Sequence, residues 1–149
     1  MNWRDFTAGG TALTGVLAGA LVLSASYAQT AHAFDCTQPK HHCIKVTVDA
    51  STNTLSVDAD PLRKKGPGHH LHWIVDNDPG QSYTFPSNGI AFSNGDGGAQ
   101  EFTNCKLDPN DAHVFHCDDP KGARGTYKYT VTVSGNPKPG ALDPKIINN

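Results

Sequence analysis

"GPGHHLHWIVDN", residues 66–77, decides the fold. Successive side chains of a strand point to opposite faces, so this segment sends Leu71, Trp73 and Val75 one way and His70 and His72 the other. The apolar set marks the core side. Trp73 is therefore expected as a buried anchor, with His70 and His72 turned toward water about 6.6 Å apart along the strand.

The same period of two runs through the rest of the chain. "CIKVTVDA" (43–50) sets Ile44, Val46 and Val48 against Lys45, Thr47 and Asp49, and "TLSVDAD" (54–60) repeats the pattern with Leu55 and Val57. "TYKYTVTV" (126–133) alternates Tyr127, Tyr129, Val131 and Val133 with Thr126, Lys128, Thr130 and Thr132. Turn-forming clusters separate these runs at Ser51-Thr52-Asn53, Lys65-Gly66-Pro67-Gly68, Asn77-Asp78-Pro79-Gly80, Asn88-Gly89 and Asn94–Gly98. Many short alternating strands with frequent turns predict an all-β fold, a β-sandwich or barrel, with a single antiparallel β-sandwich expected. The closing "GNPKPGALDPKIINN" (135–149) reads as a stiff connector and an edge strand, and Arg63-Lys64-Lys65 as a solvated turn.

The first 33 residues have a different character. A net positive start with Arg4 precedes an Ala/Gly/Leu-rich apolar stretch, and Ala31-His32-Ala33 has the small-x-small form of a cleavage site. Residues 1–33 are expected to be a signal peptide and residues 34–149 the mature domain, periplasmic or secreted, with no stable membrane insertion after cleavage. About 116 residues suit one domain with one core.

Export bears on the cysteines. Cys36, Cys43, Cys105 and Cys117 all lie in the mature part, and an even number in an oxidising compartment favours disulfides. Four cysteines allow three connectivities. The turn Asp108-Pro109-Asn110-Asp111 near the middle of "CKLDPNDAHVFHC" (105–117) would bring Cys105 opposite Cys117, leaving Cys36 and Cys43 to close "CTQPKHHC" (36–43). A four-cysteine zinc site would need close C-x-x-C pairs, which are absent from the sequence.

Seven of the eight histidines fall in the mature chain. His70 and His72 form an H-x-H half-site for zinc or copper(II), which needs at least one more ligand. His116, facing outward from "AHVFHCDD" (112–119), completes the candidate set His70, His72 and His116 if its strand borders theirs. Asp76, His69, His41, His42 and His113 are further candidates. The mature chain has no methionine, which disfavours copper(I).

Two stretches give the mature chain a resemblance to cupredoxin-type β-sandwiches: "LSVDADPLRKKGPGHHLHWIVDN" (55–77) and "AHVFHCDDPKGARGTYKYTVTV" (112–133). The first is similar to an early cupredoxin strand pair. The second is similar to the final hairpin, where an aromatic-x-Cys strand leads into a ligand loop and a closing strand. The resemblance implies a Greek-key sandwich, and an immunoglobulin-like one fits the same strands. It also implies a copper cysteine at Cys117, but Asp118–Gly125 supplies neither the histidine nor the methionine of that loop, and "NDPGQSYTF" (77–85) lacks the upstream histidine.

Catalytic signatures are missing: neither G-x-S-x-G, H-E-x-x-H nor a P-loop occurs. Asp118 and Asp119 read as solvated loop carboxylates. A net charge of −2 offers no field for nucleic acid. The chain is thus expected to be a non-enzymatic, disulfide-stabilised binding or interaction module for a protein or small ligand, without a cofactor. The alternative is a periplasmic copper- or zinc-binding protein that uses surface histidines.

Overall fold

A computed structural model describes residues 36–149; the expected signal peptide lies outside the described residues. The described chain is built of strands β1 (His41–Asp49), β2 (Thr54–Val57), β3 (Leu62–Lys64), β4 (His69–Asp76), β5 (Ile90–Phe92), β6 (Thr103–Leu107), β7 (Val114–Asp119), β8 (Gly125–Val131) and β9 (Lys145–Asn148). One helical turn, α1 (Gly98–Glu101), interrupts them. A five-stranded sheet has the order β2-β1-β4-β7-β6, and a four-stranded sheet the order β3-β9-β8-β5.

Alternation decides which face each strand buries. Ile44, Val46 and Val48 of β1, Leu71, Trp73 and Val75 of β4, and Phe115 and Cys117 of β7 all turn inward. Tyr127, Tyr129 and Val131 of β8 join them in one core. Trp73 is 0% exposed. Its indole meets Tyr129 edge-on at 5.4 Å and Phe92 at 6.2 Å, so it ties the central strand of one sheet to the other.

Both sheets are mixed, which corrects the expected purely antiparallel sandwich. β1 and β4 run parallel, with Ile44 beside Trp73, and β3 runs parallel to β9. The cause is topological. β1 and β2 form an antiparallel pair, β3 belongs to the other sheet, and the chain returns as β4 on the free side of β1. A strand that returns through such a crossover arrives parallel.

The C-terminal segment also differs from expectation. β9 lies between β3 and β8 instead of at an edge, and Ile146 is fully buried. The basic cluster is divided: Arg63 and Lys65 are exposed, but Lys64 is buried on β3. Asp119 likewise ends β7 inside the protein, not in a solvated loop.

Both disulfides join the expected partners, Cys36 to Cys43 and Cys105 to Cys117. The second spans the antiparallel pair β6–β7 with Cα atoms 4.1 Å apart, and Cys117 belongs to the core. Asp108 Oδ1 accepts hydrogen bonds from the backbone N–H groups of Asn110 and Asp111, which sets the turn of this hairpin.

Candidate functional site

β4 is the middle strand of the five-stranded sheet, so its outward residues have neighbours on both sides. Register puts His70 beside His41 on β1 and beside Asp118 on β7. It puts His72 beside Cys43 on β1 and beside His116 on β7. The adjacency that sequence left open is therefore present: His70, His72 and His116 share one face.

Their rings form a row. The His41 and His70 centroids are 4.9 Å apart, His41 and His72 lie 5.4 Å apart nearly parallel, and His72 meets His116 edge-on at 6.1 Å. His70 Nδ1 hydrogen-bonds Asp118 Oδ1 at 2.8 Å, and Asn104 donates to the other oxygen at 2.9 Å. An open groove of about 430 Å³ runs beside the row, lined by His72, Asn104, Lys106, His116 and Asp118.

His72 keeps the expected face but not the expected exposure. It is 7% exposed, because a central strand carries side chains on both flanks and the His41 and His116 rings cover it. Burial, and next the neighbouring His41 and His116, lower its pKa from 6.5 to about 4. Burial also lowers the pKa of His116. Partial burial opposes ionisation of Asp118, yet the hydrogen bonds from Asn104 and His70 outweigh it and leave that pKa below the ordinary carboxylate value. At neutral pH His72 is thus a neutral imidazole, with a carboxylate two residues beyond its cross-strand partner His116.

The other candidates lie elsewhere. His69 begins β4 instead of sitting in a turn, and by alternation it shares the inward face with Leu71. It bonds His42 at 2.7 Å and the Lys65 carbonyl at 2.9 Å. Burial, and next the approach of His69, lower the pKa of His42. His113 is held by Asp111 at 2.8 Å, and Asp76 is ion-paired with Lys45. Among the described residues, no group of three His, Cys, Asp or Glu side chains converges closely enough to hold a metal ion in this arrangement.

The residues do not fit the thiolate copper centre that the cupredoxin resemblance implies. Cys117 is bonded to Cys105 inside the core, so it offers no thiolate. Asn104 and Lys106 were missed from sequence. They reach the groove because a register shift between Thr103 and Lys106 interrupts β6, with Asn104 in the left-handed region at φ 52°. The positive φ favours asparagine, but a lone asparagine is too common a signal to locate a bulge.

No helix among the described residues is long and apolar enough to cross a membrane. Neither protein-family models nor curated proteins match the chain.

Proposed function

We propose that the mature chain is an exported, disulfide-held binding module without enzymatic turnover, and that its binding surface is the imidazole face of the five-stranded sheet. The observation that carries this is the assembly of His41, His70, His72 and His116 from three strands beside one groove. Imidazoles so close together repel one another when charged, so a surface that keeps them together favours a ligand that takes neutral nitrogen donors. Two disulfides agree with residence in the periplasm or outside the cell. The finer strand path is read as cupredoxin-like or immunoglobulin-like, which the two-sheet architecture supports, although β7 and β8 lie in different sheets and do not form the closing hairpin that the cupredoxin resemblance implies.

Ring spacing favours zinc or copper(II) as the ligand. With metal–nitrogen bonds of about 2.0–2.1 Å, two imidazoles on one ion have centroids roughly 5–6 Å apart. The His41–His72 pair at 5.4 Å has this spacing and the His72–His116 pair at 6.1 Å lies close to it. Titration of the metal-free mature protein with zinc and copper(II) tests it. His72→Ala and His116→Ala should each weaken binding at least tenfold. Equally weak binding by the wild type and both variants rejects the metal ligand and leaves the face to an organic or protein ligand.

A further inference from the structure

A second cluster of reactive groups lies inside the sandwich. Lys64 is on β3 of the four-stranded sheet and Asp119 is on β7 of the five-stranded sheet, and their side chains form an ion pair across the interior. Both side chains are 0% exposed. Asp119 Oδ1 accepts a hydrogen bond from the Gly122 N–H at 2.8 Å, which leaves Oδ2 to the amine. Lys64 Nζ lies 5.4 Å from the centre of the Phe102 ring, which stacks on Phe92 and meets Tyr127 edge-on. A third ionisable group, Glu101, is 4% exposed, and its charge acts on Lys64. Its Oε1 accepts from the Ala123 N–H at 2.5 Å.

An ammonium and a carboxylate sealed from water lose their hydration, which makes the uncharged amine easier to reach than it is in water. Burial brings Lys64 down to about 8, against the opposing pull of Glu101. A neutral primary amine held against a carboxylic acid in an apolar pocket is the reactant pair for an amide.

We propose that Lys64 and Asp119 condense to an intramolecular isopeptide bond that joins the two sheets, with Glu101 carrying the proton. The Nζ lone pair attacks Asp119 Cγ, and the C=O π pair moves onto oxygen. One N–H proton passes through Glu101 to the departing oxygen. The Cγ–OH bond then breaks, and that hydroxyl leaves with the proton as water. The products are one Nζ–Cγ amide and one water, with no change of oxidation state and no co-reactant. The amide is neutral, so the interior no longer holds an ion pair. Gly122, at φ 65°, packs its backbone against Gly66 and Pro67 beside the pair, leaving no room for a side chain and helping keep out the water that would reverse the step.

The intact mass of the purified mature protein, after full reduction of both disulfides, tests this. One lost water lowers the mass by about 18 Da, and fragmentation should yield a branched peptide joining Lys64 to Asp119. Lys64→Arg and Asp119→Ala should return the full mass. Glu101→Gln should leave uncrosslinked chain that still gives a β-sheet spectrum. Wild-type protein at full mass overturns the proposal, as does a water loss that maps to another residue. A loss of about 17 Da with a branch to Asn148, which pairs with Lys64 in the β3–β9 register, would overturn the assignment of Asp119.

Discussion

Removing the Cys105–Cys117 bond should cost the protein more than removing Cys36–Cys43, and by more than loop entropy alone requires. The two bridges span 12 and 7 positions. Loop-closure entropy then assigns them about 2.8 and 2.4 kcal/mol at room temperature. A difference of about 0.4 kcal/mol would hardly be measurable. The surroundings separate them further. Cys117 is packed among Leu71, Phe115 and the rest of the core, whereas Cys36 is exposed and Cys43 lies on the outer face. Replacing Cys117 by alanine leaves unfilled space in the core, worth about 1 kcal/mol more. Cys105→Ala/Cys117→Ala should therefore lose about 4 kcal/mol, and Cys36→Ala/Cys43→Ala about 2.4. With a urea slope of about 1.4 kcal/mol per molar, those losses move the midpoint by roughly 2.9 and 1.7 M. Urea unfolding of both double variants, followed by fluorescence of Trp73, measures the order directly. Equal midpoints, or a larger loss for the Cys36–Cys43 pair, would refute the claim that core packing adds to the effect of the second bridge.

Acid should weaken the fold through His72. Its pKa is about 4 when folded and near 6.5 when unfolded, so the unfolded chain binds the extra proton and stability falls as pH drops through that window, by about 2 kcal/mol between pH 7 and 5. In metal-free buffer His72→Gln should lose most of that dependence; an unchanged pH slope would show that another group causes it. Trp73→Ala, which empties the contact between the sheets, should cost about 3–5 kcal/mol, and a thermal scan showing a smaller change would deny Trp73 its anchoring role.

Local pattern carried the strand faces well. Ile44, Val46 and Val48, Leu71, Trp73 and Val75, and Tyr127, Tyr129 and Val131 are buried as alternation requires, because period two is a property of one strand by itself. The disulfide pairing was legible for a similar reason: a turn between Cys105 and Cys117 is a local signal. Pairing between distant strands was not. Nothing within β1 or β4 encodes that they lie parallel, so neither the mixed sheets nor the place of His41 could be read. Lys64 and Asp119 escaped because each flanks a turn among charged neighbours, where lysine and aspartate are ordinarily solvated. Only the packing of β3 against the β7 end reveals that each is the other's reason for being inside.

The crowding of histidines in residues 69–72 is therefore a poor guide to the site. Alternation divides that segment, sending His69 inward to His42 and leaving only His70 and His72 for the outer face. Any ligand of that face must recruit the rest of its contacts across β1 and β7, from His41, His116 and the groove residues beside them. The proposed binding surface is then a property of the sheet, and its geometry depends on how firmly β7 is held in register. Two features hold it there: the bridge from Cys117 to β6, and the contact of Asp119 with Lys64 in the opposite sheet. Both anchors, Cys117 and Asp119, follow His116 within three residues and hold its strand from the inner face. Covalent or ionic, these inner contacts fix the strand so that its outward imidazole can meet His72 without having to be ordered by the ligand.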